Sequence, residues 1–412
     1  MNILIKNVLL NNVMTDVLIE NDTFKKIGSI DTKTIHIDKT IDATNKAILP
    51  AFYNLHTHAA MCLLRGYSED KPLMPWLNEI WAKEDTLTGE DIYDGTRLAI
   101  VEMIRSGTVF FADMYWFHSD ILRAVEQMNI RANIGVCFMD NLGKAKIDDN
   151  FAFLKEYSAY NNDLISFAPA PHAIYTCSGE LYKRCFDFAN DNNMFVQTHL
   201  SETLTEVNDC KKAHNMTPAE YLNSIGVLNS KTIAAHCVHL TDNDAKIIKN
   251  KGVTIVHNPC SNMKLSSGAI NIPLIKKHNI SITLGTDGCS SNNNLSMIEE
   301  MKFASLLAKV SHNSADALTA KEVFDMATIN GAKAYHINAG KIEEGKKADC
   351  ILVDMNNERL VPCWNLIYNM VYSGDSSCIT DVICNGNILM ENKYIPNEEE
   401  IIAKARKFVK NN

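Results

Sequence analysis

The feature that most constrains the fold is a regular alternation of short apolar runs with helix-length amphipathic stretches, from about residue 48 to about residue 336. Each apolar run is rich in β-branched residues and has the length of one strand. The runs are ILPAFYNLH, TVFFADMY, ANIGVCFM, ISFAPAP, FVQTHL, TIAAHC, VTIVHNP and SITLGTDG. One intervening stretch, TGEDIYDGTRLAIVEMIRSG, has the residues of a complete helix, with Thr88 as N-cap and Gly107 just past the end.

Eight strands that alternate with helices predict an α/β protein with a (β/α)8 TIM-type barrel, for which about 250 residues is typical. A doubly wound open sheet is the alternative, but no G-x-G-x-x-G follows any of the runs. Strand-like sequence returns near the C-terminus, including DVICNGNILMENKYI, which is typical of a hairpin that turns on Asn-Gly. We therefore expect a small β-sandwich domain formed from both chain ends (1–47 and 345–395), a barrel (48–344) and a C-terminal helix (396–412).

Composition excludes several classes of function. The formal net charge of −9 disfavours a nucleic-acid partner, because such proteins carry clustered Lys and Arg. No apolar run reaches the roughly 18 to 20 residues that a membrane-spanning helix needs. The N-terminal residues lack the pattern of a signal peptide, and the twelve Cys form no C-x-x-C pair, which favours reduced thiols. We expect a cytoplasmic protein with no nucleic-acid or membrane partner.

Side chains of metal-ligand type stand at the ends of most predicted strands. The first strand ends in His56-Thr57-His58, and the two-residue period of a strand places both imidazoles on one side. Functional residues of such barrels project from the C-terminal ends of strands, where the sequence also has His172, His199, Glu202, His236 and Asp287. A single His at a strand end is more often an ordinary hydrogen-bonded residue. Several imidazoles with a carboxylate and a position open for water are typical of a catalytic metal site.

These residues lie in segments that resemble the amidohydrolase superfamily, and within it the S-adenosylhomocysteine/5′-methylthioadenosine/adenosine deaminase group. The similar segments run in the family's order from about residue 48 to residue 354. They are LPAFYNLHTHAAMCLLRGYSED, PAPHAIYTCS, THLSET, IAAHCVHL, HNPCSNMKLSSG, LGTDGCSSNNNLSMIEEM and GKIEEGKKADCILVD. The sequence departs from the family at Ala60, where a proline is common, and this change affects only the stiffness of a loop.

The resemblance implies one divalent metal ion per subunit, usually zinc, bound by His56, His58, His199 and Asp287; the same ligands also suit Fe²⁺, Mn²⁺ and Ni²⁺. It implies a catalytic set of Glu202, His236 and Asp287. Asp287 would pass a proton from water to the leaving amine, Glu202 would protonate a ring nitrogen, and His236 would stabilise the attacking group. The expected reaction is hydrolytic removal of the 6-amino group of an adenine nucleoside, with release of ammonia and the inosine analogue.

Four residues match substrate-contact positions of the family: Glu84, His172, Glu202 and Ser291. Glu84 corresponds to a residue that resembles a ribose-hydroxyl acceptor, a role that a carboxylate can fill for both hydroxyls. The alternative for Glu84 is a solvated acid at the start of a helix.

The third strand bears on the 5′ end of the substrate. Members that deaminate S-adenosylhomocysteine clamp its carboxylate with Arg residues at and after this strand, whereas here Val136 takes the first position and only Lys144 and Lys146 follow. Lys cannot reproduce the bidentate contact of a guanidinium with a carboxylate. We therefore expect adenosine or 5′-methylthioadenosine to be favoured over S-adenosylhomocysteine.

Other functions remain open at this stage. The same residues would serve a guanine or pterin deaminase or an s-triazine chlorohydrolase, and the remote alternative is a non-catalytic metal-binding protein. A cytidine-deaminase site is excluded, because it requires P-C-x-x-C and Met263 stands where the second Cys would be. By analogy with the family, in which exposed barrel helices often pair, we expect a homo-oligomer.

Overall fold

The computed structural model of the chain describes residues 1–33, 35–160 and 162–411. Its strands, in chain order, are β1 (Asn2–Leu10), β2 (Val13–Glu20), β3 (Thr23–Gly28), β4 (Lys39–Asp42), β5 (Lys46–Pro50), β6 (Phe52–Thr57), β7 (Thr108–Tyr115), β8 (Arg131–Phe138), β9 (Ile165–Pro171), β10 (Val196–Leu200), β11 (Thr232–His236), β12 (Thr254–His257), β13 (Ile282–Leu284), β14 (Cys350–Asp354), β15 (Ile379–Cys384) and β16 (Asn387–Met390).

The helices are α1 (Leu73–Glu84), α2 (Gly89–Arg105), α3 (His118–Met128), α4 (Gly143–Glu156), α5 (Gly179–Asp191), α6 (Leu204–His214), α7 (Pro218–Ser224), α8 (Asp242–Lys251), α9 (Pro259–Lys264), α10 (Ile272–Lys277), α11 (Met297–Ser311), α12 (Ala320–Ala327), α13 (Ile329–Ala334), α14 (Leu366–Tyr372) and α15 (Glu398–Asn411). Short 3₁₀ turns lie at Ala59–Leu64, Asp140–Leu142, Tyr157–Ala159 and Ser376–Cys378.

Strands β6 to β13 form the barrel. They pair in parallel and in chain order, as one run from β6 to β9 and a second from β10 to β13. The two runs join at both edges: His199 N donates to His172 O at 2.9 Å, and Asp287 N donates to His56 O at 2.9 Å. The predicted (β/α)8 barrel is confirmed, and its closure brings residues from the first and last strands into contact.

Local sequence signals appear in the structure where they were expected. Helix α2 begins after Thr88, whose hydroxyl accepts from Asp91 N, while the Asp91 carboxylate accepts from Thr88 N. This reciprocal arrangement satisfies amide groups that the first helical turn leaves unpaired. Gly107 follows the helix with φ +87°, a backbone conformation that favours glycine.

Strands from both chain ends form one further sheet, in the order β16-β15-β14-β5-β1-β2-β3, with β4 also paired to β1. The β15–β16 hairpin turns at Asn385 (φ 49°) and Gly386 (φ 74°), as the Asn-Gly signal predicts. The sheet has a hydrophobic cluster of its own, separate from the barrel core, that includes Ile5, Phe24 and Leu352. The domain limits drawn from the sequence stay a prediction.

The structure differs from the sequence prediction at the first strand. The single run ILPAFYNLH is divided between β5, which pairs antiparallel with β14, and β6, which pairs parallel with β7. The division falls at Pro50 and Ala51; proline has no N–H to donate to a strand ladder, so continuous pairing is interrupted there.

Two further expectations concern the chain as a whole. All twelve Cys are free thiols, and all are buried except Cys363. Among the residues that the structure describes, none of the helices combines the length and apolar character required to cross a bilayer.

Candidate metal centre and active site

The C-terminal ends of the barrel strands bring the predicted ligands together. His56 and His58 come from the end of β6, His199 from β10, and Asp287 from the turn after β13. The ring of His56 lies 4.9 Å from that of His58 and 4.8 Å from that of His199, measured between centroids. Ring nitrogens of these three His lie within 4.8 Å of one another. Residues up to 231 positions apart are thus gathered at one point of the barrel axis.

Hydrogen bonds fix the orientation of two of these rings. Nδ1 of His58 donates to the carbonyl of Met114 at 2.6 Å, and Nδ1 of His199 donates to the carbonyl of His172 at 2.8 Å. With Nδ1 engaged as a donor, Nε2 of each ring is left to face the cluster, which is how metal-binding His are usually oriented. Nε2 of His56 is buried and has no hydrogen-bond partner among the described residues. This set of converging nitrogen donors fits a divalent cation.

Asp287 supplies negative charge to the same cluster. Its Oδ1 lies 3.4 Å from Nε2 of His56 and 3.2 Å from Nε2 of His58. Burial by itself raises the pKa of Asp287, but the two imidazoles outweigh it and hold this pKa well below the usual range. Burial likewise lowers the pKa of His58, yet the hydrogen bond and charge of Asp287 outweigh it and raise this pKa to about 9. The carboxylate therefore stabilises positive charge at this position.

The backbone at the strand ends adopts conformations that non-glycine residues rarely occupy. Ser201, His236, Cys237 and Asp287 have φ values of 51°, 70°, 50° and 62°. Such strained residues concentrate at functional sites, where the surrounding structure holds them in place. Here they lie at the ends of β10 and β11 and in the turn after β13, next to or among the candidate site residues.

Glu202 and His236 form a second group beside the cluster. Nε2 of His236 lies 3.9 Å from Oε2 of Glu202, and Nδ1 of His236 bonds to Oδ1 of Asn262 at 2.8 Å. Oε1 of Glu202 accepts from the hydroxyl of Ser267 at 3.0 Å. Burial raises the pKa of Glu202, so protonation of this carboxyl becomes easier than in water. A buried acid next to an imidazole has the chemistry of a proton donor and acceptor.

Both groups face one cavity at the mouth of the barrel. Aromatic and apolar side chains form most of its wall, and no Lys or Arg of the described residues is among its lining. The lining consists of His58, Met61, Leu73, Trp76, Leu77, Trp81, Glu84, Met114, Tyr115, Trp116, Cys137, His172, Tyr175, His199, Glu202, His236, Leu265 and Asp287.

Residues 47–389 match the model of the amidohydrolase family. The chain belongs to this family. It is 44% identical over 397 residues to a 5′-deoxyadenosine deaminase of Methanosphaera stadtmanae. The aligned region covers 95% of this chain and 93% of the relative. It is 43% identical over 395 residues to 5-methylthioadenosine/S-adenosylhomocysteine deaminase 1 of Archaeoglobus fulgidus, with coverage of 94% and 93%.

Among solved structures, this amidohydrolase is similar to a zinc-bound adenosine deaminase from Xanthomonas campestris. The TM-score is 0.94 at 31% identity, over 100% of this chain and 98% of the other. The predicted family and the prediction of a hydrolytic deaminase are both confirmed.

The predicted substrate contacts of the amidohydrolase fall into two groups. Glu84, at the end of α1, and His172, after β9, line the cavity with Glu202. Ser291 is buried and does not line it; its hydroxyl lies 3.0 Å from Oδ2 of Asp287. Ser291 is therefore placed to orient Asp287, and direct contact of Ser291 with a substrate stays a prediction.

Several residues that support the site had no signal in the sequence of this amidohydrolase. Ser261 donates to Oδ2 of Asp287 at 2.6 Å, Asn262 holds His236, and Ser267 holds Glu202. All three lie in HNPCSNMKLSSG, which the family resemblance includes, but small polar residues have no characteristic spacing that would reveal their partners. The sequence also did not predict the contact of Tyr115 with Glu84, because Tyr115 has the pattern of the last residue of an apolar strand.

Proposed function

We propose that this amidohydrolase removes the 6-amino group of an adenine nucleoside whose 5′ end is uncharged. The candidates are 5′-deoxyadenosine, which is the substrate named for several relatives, 5′-methylthioadenosine and adenosine. The observation that carries the proposal is the pairing of Glu202 and His236 beside a His/Asp cluster, in a cavity whose lining includes no Lys or Arg of the described residues.

The metal is proposed to be zinc, held by His56, His58, His199 and Asp287. The inward-facing imidazole nitrogens and the low pKa of Asp287 support this set, and a zinc-bound structure is among the similar proteins. When bound, a divalent cation lowers the pKa of a coordinated water toward 7.

The proton transfers are assigned to the protein's own side chains. Glu202, in its protonated form, donates to a ring nitrogen of adenine and makes the neighbouring C6 electrophilic. Asp287 accepts a proton from the attacking water and delivers it to the amino group. The C6–N bond then breaks, ammonia leaves, the hydroxyl proton on C6 returns to Glu202, and the oxygen from water remains on C6 as the carbonyl oxygen of the product. His236, held by Asn262, stabilises the attacking oxygen with Nε2.

The preference for an uncharged 5′ end is supported by the positions of the candidate cations. Val136 is buried within β8, and Lys144 is exposed on α4, where it pairs with Asp148. Lys146 is exposed on the same helix. A carboxylate at the 5′ end would enter the cavity without a Lys or Arg side chain to pair with it, which is costly in an environment of low polarity.

A substrate panel tests the proposal. Ammonia release is measured with 5′-deoxyadenosine, 5′-methylthioadenosine, adenosine, S-adenosylhomocysteine and guanine, with and without a chelator. We expect kcat/KM for the best uncharged nucleoside to exceed that for S-adenosylhomocysteine by about 10-fold or more, since each tenfold corresponds to about 1.4 kcal/mol. A preference for S-adenosylhomocysteine, or chelator-resistant activity, contradicts it.

Glu84 separates a nucleoside substrate from a free base. A guanine, pterin or s-triazine substrate has no ribose, so Glu84→Ala leaves its turnover nearly unchanged. A nucleoside loses hydrogen bonds to a charged acceptor, each worth about 1.5 to 3 kcal/mol, and kcat/KM falls by about 10- to 100-fold. Unchanged nucleoside turnover in Glu84→Ala would favour the free-base alternative.

A further inference from the structure

The carboxylate of Glu84 has one protein partner. The hydroxyl of Tyr115 donates to Oε1 of Glu84, and no other described residue forms a hydrogen bond or an ion pair with this carboxylate. Burial raises the pKa of Glu84 to about 7, while the hydrogen bond from Tyr115 acts in the opposite direction. An acid with so little compensation is costly to bury unless a ligand completes its hydrogen bonds.

Tyr115 is well placed to hold this carboxylate. It is the last residue of β7, is 2% exposed, and has its ring 6.4 Å from that of His58. Glu84 is the last residue of α1, outside the barrel strands. A side chain at the end of a helix is thus tied to a rigid strand of the barrel. Glu84 and Tyr115 both line the cavity.

We propose that Tyr115 is a positioning residue that makes this deaminase selective for nucleosides, by orienting the Glu84 carboxylate toward the ribose hydroxyls. The inference rests on the proposed function, in which Glu84 accepts from those hydroxyls. It assigns to Tyr115 a role in recognition of the sugar and none in the chemistry at C6.

The chemistry of the pair supports this assignment. The Glu84 carboxylate can rotate about its Cγ–Cδ bond. One hydrogen bond from the tyrosine hydroxyl to Oε1 restricts this rotation and leaves Oε2 for the substrate. The same bond stabilises the ionised form, which is the form that accepts from two hydroxyls. Pre-orientation of a binding group lowers the entropy cost of binding, which affects KM more than kcat.

Tyr115→Phe tests the proposal without removing the ring. Kinetics are measured for adenosine and for 2′,3′-dideoxyadenosine, which lacks both hydroxyls. We expect KM for adenosine to rise about 10-fold, which corresponds to one hydrogen bond to a charged group, with kcat nearly unchanged. The KM for the dideoxy substrate should not rise in Tyr115→Phe, because this substrate has no ribose hydroxyl that could donate a hydrogen bond to Glu84.

Three more variants complete the design: Tyr335→Phe, Glu84→Gln, and the double variant Glu84→Gln/Tyr115→Phe. Tyr335→Phe is the matched control, because Tyr335 is also buried and its hydroxyl bonds to Asn133 at 3.4 Å, away from the cavity; its KM values should not change. In Glu84→Gln/Tyr115→Phe, the two effects on adenosine should be less than additive, because both substitutions remove the same interaction.

The outcomes distinguish this inference from the proposed function. If wild-type enzyme deaminates no adenine nucleoside, or does not distinguish adenosine from the dideoxy analogue, the proposed role of Glu84 fails. If wild-type enzyme distinguishes them and Tyr115→Phe does so equally well, the inference about Tyr115 alone is overturned. An equal loss of kcat for both substrates would also overturn it, since it indicates a general structural role.

Discussion

The barrel has a buried polar cluster at each end, and the two differ in how completely their hydrogen bonds are made. At the C-terminal end, Nε2 of His56 and Nε2 of His236 are buried without hydrogen-bond partners among the described residues. At the opposite end, Nε of Arg131 lacks such a partner, but Asp349 accepts from Asn385 N at 2.6 Å, from Nη2 of Arg131 at 3.1 Å, and from the hydroxyl of Tyr53.

The difference indicates that the Asp349 cluster serves the stability of the fold, whereas the cluster at the C-terminal end of the barrel serves its function. The Asp349 cluster joins a turn of the terminal sheet to the first and third barrel strands, and its carboxylate is saturated with donors from the protein. Polar groups that the protein satisfies itself contribute to a unique structure, whereas unpaired buried groups at a strained backbone indicate a ligand. We therefore expect substitutions at the two ends to have opposite effects on activity and stability.

The largest effect is expected for Asp287→Asn. In the proposed function Asp287 balances the His cluster and moves a proton, so loss of the anionic group should lower kcat/KM by about 10⁴-fold. Without metal, the free energy of unfolding should fall by less than in Asp349→Asn, because His58 can lose its proton when its counter-ion is removed whereas Arg131 cannot. Ammonia release and denaturant unfolding measure the two quantities. Retention of more than about a tenth of the activity would exclude Asp287 from the machinery.

Asp349→Asn should give the reverse result. Arg131 is 3% exposed, and removal of its counter-ion leaves a buried charge uncompensated at a cost of about 3 to 5 kcal/mol. The folded fraction should keep its kcat/KM within about 2-fold, because the cluster lies at the far end of the barrel. Asp148→Asn is the control, since it breaks surface ion pairs with Lys144 and Arg184 and should leave stability nearly unchanged. An equal decrease in the free energy of unfolding for Asp349→Asn and Asp148→Asn would contradict the comparison.

Metal removal should affect the C-terminal end alone. Addition of Zn²⁺ at about 100 times its Kd to chelator-treated protein should stabilise it by about 2.7 kcal/mol and restore activity. The shift in Tm is measured by calorimetry. It should disappear in His199→Asn and persist in Asp349→Asn, and a shift of equal size in His199→Asn would place the metal elsewhere.

The smallest effect is expected for Lys144→Ala and Lys146→Ala. Both side chains are exposed on α4, outside both clusters. The ratio of kcat/KM for 5′-deoxyadenosine to that for S-adenosylhomocysteine should stay within about 2-fold of wild type. A specific loss of S-adenosylhomocysteine turnover in either variant would mean that a Lys binds its carboxylate.

The sequence by itself determined what depends on neighbouring residues. The H-x-H spacing placed His56 and His58 on one side of a strand, the cap at Thr88 began α2, and Asn385-Gly386 formed the terminal hairpin. The strand–helix alternation predicted the barrel, since short crossovers leave few other ways to bury such strands. Together with the family resemblance, these signals predicted all four candidate ligands.

Only the tertiary structure decided which distant side chains meet. It divided residues 48–56 between two sheets, turned Ser291 toward Asp287, and brought the hydroxyl of Tyr115 to Glu84. None of these contacts has a signature in spacing: the β5–β14 pairing and the Tyr115–Glu84 contact join elements that are separate in the chain, and the contact of Ser291 with Asp287 lies in a loop without regular periodicity. Closure also determines which buried polar atoms find partners. The candidate ligand nitrogens could be named from the sequence, but the lack of a hydrogen-bond partner at Nε2 of His56 among the described residues could be seen only in the closed barrel.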